Sequence, residues 1–349
     1  MSRVAHRVNL RTEVSPPGPR TTRHAADAEP RALRAPLLRT TVLALATALT
    51  TSCTYAQQPR SAVARAPYTR ADTARLHRTL DSIADAHRGA LGYVVRNIDT
   101  GEQLARRADE TFPTASLIKV PILVTVYDLV RQGLLALDDP LTLLKIDQVD
   151  QGDGVLHRMH SGLVLTVGDA AWLMSTLSDN TATNLLLDRI IIRRVGQKME
   201  ALGLPRTKSH SKIGYRISSV AVDSSVKYGI GVTTPAESAR LFELLARGQA
   251  VSPALDSAML DVLANNKDEA MLARHRGAAR FAHKTGAVDR ARNDCGIFYL
   301  QSRVIACVLT KENADTSYAL DAAPHLAIAA IGAAVVRAWP AAPPPPPAP

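Results

Sequence analysis

Apolar side chains at Leu76, Leu80, Ile83 and Ala84 recur three and four positions apart, with Gly89 just beyond, so residues 75–87 are predicted to form an amphipathic helix that stops at the glycine. Residues 91–97 and 102–106, separated by Asp99-Thr100-Gly101, read as strand, turn and strand. From Val120 to Val130 the chain is apolar on nearly all sides, the pattern of a helix buried in the middle of a domain, and Thr114 is a suitable N-cap for it. Further helices are predicted at 167–177, 181–192, 235–246 and 252–264. Strands at 280–287, 295–300 and 304–309 follow, and a helix at 325–339 closes the pattern.

Strands at both ends of a helical middle imply a sheet assembled from distant segments. The fold class expected is α+β: an antiparallel sheet flanked by helices, with an all-helical subdomain and a site in the cleft between them. One folded unit is expected at 73–339, after a linker at 57–72 and before a solvated, Pro-rich tail at 340–349.

Residues 1–56 carry eight arginines and three acids, half of the chain's net charge of +10, so the folded part is only mildly basic. Arg31, Arg34 and Arg39 precede a short apolar run at 40–49, the order of an export signal, and 54–56 resembles its cleavage site. The run is too short for a membrane span, which needs about 20 residues. The protein is therefore expected to be exported, periplasmic or membrane-anchored, with Cys53 as the competing site of a lipid anchor. Basic residues without interleaved aromatics argue against nucleic acid. Cys295 and Cys307 fall on consecutive strands. A tight turn at 301–303 would set Cys295 opposite a residue near 308–310, so free, buried thiols are expected there. No metal-type spacing is present and no cofactor is called for; a monomer is expected.

Chemistry concentrates in three short segments: Ser116-Leu117-Ile118-Lys119, Ser178-Asp179-Asn180 and Lys284-Thr285-Gly286. Ser-x-x-Lys arises about once by chance in a chain this long. Indeed 209–212 and 224–227 also match it, but in polar, Ser-rich chain. Only Ser116 heads an apolar helix, where Lys119 lies one turn on, on the same face. A serine hydroxyl needs a base to become a nucleophile, and a buried lysine beside a second cation, Lys284, has its pKa lowered enough to serve. Ser178 would pass a proton to the leaving nitrogen, Asn180 would bind a substrate carbonyl, and Lys284 with Thr285 would hold a substrate carboxylate. Backbone N–H groups of Ser116 and Ala287 would form an oxyanion hole. His157, His160 and His283 have no nucleophile to pair with and are expected to be structural.

These three motifs together resemble the class A β-lactamase and penicillin-binding serine hydrolase superfamily, and the resemblance runs from about Thr73 to Trp339. Residues 165–169, 181–186 and Arg292-Asn293-Asp294 look like class A sequence in particular. The resemblance implies catalytic roles for Ser116, Lys119 and Ser178. It implies substrate binding by Asn180, Lys284, Thr285, Gly286, Ala287 and Arg292, and a β-lactam or peptidoglycan-like acyl substrate. One departure matters. The family carries a glutamate, in a loop between the second and third motifs, that activates the water releasing the acyl group. Here residues 206–232 contain no Glu; Asp223 lies within that stretch and Glu237 just beyond, and Asp223, His210 or a differently placed base would have to substitute. The expected activity is β-lactam hydrolysis with slow turnover. A D-alanyl-D-alanine-type peptidase or esterase, and a non-catalytic penicillin-binding sensor, are the other two readings of the same residues.

Overall fold

The computed structural model describes residues 71–150 and 152–339, all within the compact unit 64–349. The expected export signal, Cys53, nearly all of the linker and the Pro-rich tail lie outside the described residues.

The chain opens with helix α1 (Thr73–Ala86), whose N-cap Asp72 accepts from the Arg75 N–H, and turns into strands β1 (Ala90–Asn97) and β2 (Gln103–Arg106). The last three strands, β8 (Arg280–Val288), β9 (Ala291–Tyr299) and β10 (Arg303–Lys311), return to the same sheet, ordered β2-β1-β10-β9-β8 and antiparallel throughout. Nearly every side chain of β9 and β10 is buried, because the sheet is covered on both faces. On one face Leu76 and Leu80 of α1 meet Ile328, Ile331 and Val335 of the closing helix α9 (Ala323–Ala338). On the other face lies the helical part.

At the centre of that part runs α2 (Lys119–Arg131), buried from Lys119 through Leu129. Around it stand α3 (Val167–Thr176), α4 (Asn180–Ile190), α5 (Ile192–Ala201), α7 (Pro235–Ala246) and α8 (Pro253–Leu263). The helix predicted at 181–192 breaks at Ile191, whose φ of 68° cannot continue a helix, and restarts as α5. The chain at 206–232, which the pattern leaves irregular, holds the short helix α6 (Val222–Tyr228). Two small sheets complete the helical side: β3 (Phe112–Pro113) with β6 (Lys208–Ser209) and β7 (Gly231–Thr233), and β4 (Pro140–Thr142) with β5 (Val164–Thr166).

The cysteine expectation is corrected here. Tyr299 pairs with Arg303 across a three-residue loop, which slips the register by one from a tight turn and sets Cys295 directly opposite Cys307. Their Cα atoms are 4.0 Å apart and the two form a disulfide. Both side chains are fully buried beneath the helical layer.

Candidate active site

Ser116 does not sit in the first turn of the α-helix. Residues Ala115–Ile118 form a 3-10 turn that leads into α2 at Lys119, and the Thr114 side chain makes no capping bond. Ala115 enters the turn at a φ of 45°, a left-handed conformation that costs a non-glycine residue on the order of 1–3 kcal/mol. The surroundings hold it there. The Thr114 N–H donates to the Gly231 carbonyl at 2.9 Å, and the carboxamide of Asn293 donates to the carbonyls of Pro113 and Thr114 at 2.8 and 3.0 Å.

From the start of α2 the Lys119 ammonium position reaches back to Ser116 Oγ at 3.1 Å and across to Ser178 Oγ at 2.9 Å, the Ser178 carbonyl at 2.6 Å and Asn180 Oδ1 at 2.8 Å. Four oxygens around one nitrogen exceed the three hydrogen-bonding positions of either an ammonium or a neutral amine, so the contacts hold the nitrogen in place in both forms. Electrostatics favour the neutral one: burial first, and then the cation of Lys284, lower the Lys119 pKa well below that of a free lysine, with Asp153 and Asp179 opposing.

Ser178 is itself left-handed, with a φ of 55°, between α3 and α4. Asp179 fixes the turn: one carboxylate oxygen accepts from the Ala182 N–H at 2.8 Å, capping α4, while the other takes the N–H groups of Val155 and Leu156 at 2.6 and 2.9 Å. Asp179 is therefore a fully buried structural anchor between two residues of the cluster.

The third motif lies on the edge strand β8. Lys284 is fully buried, donates to the Thr285 carbonyl at 3.0 Å, and has its pKa pulled down to about 8 by burial. A β-carbon at Gly286 would stand 2.6 Å from the Thr114 carbonyl and 2.8 Å from the Leu117 N–H, so the strand meets the serine turn backbone to backbone only because that residue is glycine. Ala287 follows on the same edge strand, paired with Arg292 of β9.

Arg292 is a correction. Its guanidinium is buried and donates to the carbonyls of Val288, Ala291, Thr316 and Ser317, and it stacks on the Tyr318 ring at 4.1 Å. Successive residues of a strand point to opposite faces, and it is the next residue, Asn293, that faces the serine turn. Counting from the two-residue turn at 289–290 pairs Asn293 with Gly286, and that register is the signal that points to it. Beneath the strand His283 Nδ1 lies 2.9 Å from Asp294 Oδ1, a buried structural pair.

The residues named in place of the missing glutamate are exposed or held in other bonds. Asp223 is exposed at the start of α6. His210 spends both ring nitrogens, on the Gly229 carbonyl at 3.2 Å and the Ser224 hydroxyl at 3.1 Å. Glu237 accepts from the Arg206 N–H and the Thr207 hydroxyl at the start of α7. Instead, the loop is tied to α4 through Ile213: Asn184, one turn beyond Asn180, accepts from the Ile213 N–H and donates to its carbonyl, both at 2.9 Å. The residue whose main chain is clasped at this junction is an isoleucine. The two other Ser-x-x-Lys matches do not form pairs, since Lys212 bonds Asp188 and Lys227 lies over Tyr228. Among the described residues no group of three or more metal-ligating side chains occurs, and no helix is long and apolar enough to cross a membrane.

A family model described as the β-lactamase enzyme family matches residues 75–339. Among solved structures, a β-lactamase from Sphaerobacter thermophilus superposes with a TM-score of 0.68 at 28% identity, covering 76% of this chain and 97% of that one. An ancestral class A β-lactamase gives 0.67 at 28% identity, covering 76% and 100%. PBP-A, in a point variant solved as an acyl-enzyme complex with penicillin G, gives 0.67 at 25% identity, covering 78% and 98%. A curated relative, the β-lactamase regulatory protein BlaB of Streptomyces cacaoi, is 30% identical over 112 residues. That match takes in 31% of this chain and 36% of BlaB, so it spans about a third of the relative's length.

Proposed function

We propose a function from one premise: the chain belongs to the β-lactamase enzyme family. It is a β-lactamase-like serine hydrolase that forms an acyl-enzyme on Ser116, acts on β-lactams, and releases the acyl group slowly. The observation that carries this reading is Lys119 Nζ, buried and within hydrogen-bond reach of both Ser116 Oγ and Ser178 Oγ.

In acylation, neutral Lys119 takes the Ser116 hydroxyl proton as Oγ bonds to the lactam carbonyl carbon. The Ser116 and Ala287 N–H groups receive the oxyanion. The carbon–nitrogen bond then breaks, its electron pair staying on nitrogen, which takes the Ser178 hydroxyl proton. Lys119 returns its proton to Ser178 and is neutral again. Lys284, cationic below about pH 8, holds the substrate carboxylate beside Thr285, and Asn180 orients the acyl amide. Hydrolysis of the ester needs a base for water; the 206–232 loop contains no Glu, and the residue whose main chain it clasps to Asn184 of α4 is the apolar Ile213, which supports slow release.

Intact-mass spectrometry with benzylpenicillin over time tests this. A Ser116 adduct that forms quickly, decays slowly and is absent in Ser116→Ala is expected; no adduct on the wild-type protein removes the reading. The similarity to a regulatory protein favours, as a second reading, a sensor that keeps the adduct permanently; an adduct that never decays would select it. The charged and apolar order of residues 31–49 supports export, and labelling of Cys53 by a lipid precursor would show an anchor.

A further inference from the structure

Gly152-Asp153-Gly154 lies against the Ser178–Asn180 turn, in a loop that the motifs did not point to. Both glycines are left-handed, with φ of 81° and 117°. A β-carbon at Gly152 would stand 2.5 Å from the Asn180 carboxamide nitrogen, and one at Gly154 would run into Asp179. The two glycines thus let the backbone pack directly on the turn, and Asp153 is the side chain presented between them. Its carbonyl accepts the Asn180 N–H at 3.2 Å, and the N–H groups of Val155 and Leu156, just beyond Gly154, are those bound by Asp179. The Asp153 carboxylate is exposed to solvent at the lip of the cleft, while the polar floor below it is buried.

We propose that Asp153 is a specificity residue: the carboxylate, locked by its backbone to Asn180, favours substrates whose acyl group carries a cation near the scissile amide and disfavours those that carry an anion. This rests on the acyl-transfer reading of the site and names its substrate class. Asn180 is the group that orients the acyl amide, so a side chain bound to Asn180 through its own backbone stands on the acyl side of the bond that breaks. The substrate's carboxylate belongs to the Lys284 end. The field of Asp153 is felt across the cleft as well, since it is the carboxylate that acts on both Lys119 and Lys284. An acyl group bearing a protonated amine therefore enters with charge complementarity at both ends.

Three penicillins differ only in the substituent on the acyl α-carbon, which sets the charge there: aminobenzyl (cation), benzyl (neutral) and carboxybenzyl (anion). Rates of Ser116 adduct formation are measured for each at low ionic strength, at about pH 6, where an α-amino group is protonated. The expected order is cation over neutral over anion, with steps of about threefold, as befits a solvent-exposed pair, shrinking as salt is added. In Asp153→Asn the three rates converge, and in Asp153→Lys the order inverts. Because each protein is compared with itself across the series, a general loss of activity leaves the ratios readable. Equal rates in the wild-type protein, or an order that persists in Asp153→Asn, overturn the inference while leaving the acyl-enzyme intact. Absence of an adduct from all three overturns the acyl-transfer reading and this inference with it.

Discussion

The serine–lysine cluster and the loop at 206–230 hang on the same helix, α4, yet they are built in opposite ways. In the cluster, Lys119 makes four polar contacts in a buried setting, and Asp179 and Asn293 lock the backbones that carry Ser178 and Ser116. In the loop, Ile217, Val222 and Val226 are exposed, and the attachment to α4 runs through the main chain of Ile213 and the Lys212–Asp188 ion pair. Forming an acyl-enzyme and breaking it are separate tasks, and only the first has a dense polar apparatus here. The sharpest break of this contrast is removal of the amine. Lys119→Ala is expected to slow adduct formation by about 10³-fold, the scale of losing a general base, whereas Asp223→Ala stays within about twofold. Equal loss in both, followed by stopped mass spectrometry, would move the base into the loop.

Backbone contact should matter nearly as much as chemistry on the cluster side. Gly286→Ala brings a methyl against the Thr114 carbonyl and the Leu117 N–H, neither of which is a flexible side chain. Displacing the strand from the serine turn by a fraction of an ångström is expected to cost about 10²-fold in acylation with the fold retained. Circular dichroism and the acylation rate, measured on the same sample, check both halves of that statement; an unaltered rate would mean that β8 does not supply the oxyanion or carboxylate contacts.

On the loop side the expected effect is a gain. Ile213→Glu would put a carboxylate next to the Asn180 face of α4, and adduct lifetime should shorten by about tenfold or more if that position governs deacylation. A lifetime that does not change would place the control of release elsewhere. The adduct lifetime is read by dilution into excess competitor, and acylation should change far less than release.

The same contrast explains what was legible in the sequence. Ser116 and Lys119 could be read because a three-residue separation puts both on one face whether the turn is α or 3-10, and the buried apolar run of α2 singled them out from two false matches. The order of helices and strands followed from periodicity for the same reason. Features set by register were lost: a single extra loop residue decided that Cys295 meets Cys307, and a single step along β9 decided that Asn293 and not Arg292 faces the serine turn. Features set by main-chain contact leave little side-chain signature. The left-handed Ala115, the Gly152 and Gly154 approach to α4, and the Ile213 clasp all belong to that class.

The mildest prediction concerns pH, and it tests whether the two lysines act as a pair. Acylation needs Lys119 neutral and Lys284 cationic. The rate therefore rises with pH through the depressed titration of Lys119 and falls as pH passes about 8, where Lys284 loses its proton. Each lysine's charge disfavours the other's, so the two limbs belong to the coupled pair. Burial is the larger cause of the Lys119 shift and the Lys284 cation the second. Lys284→Met removes only the second: it should abolish the alkaline fall and move the rising limb toward higher pH, since a lone Lys119 holds its proton more tightly, without restoring the titration of a free lysine. The acylation rate of the residual activity, measured from acid to alkaline pH, decides the matter, because a rising limb that stays in place would mean that the proton on Ser116 is taken by a group which Lys284 does not feel.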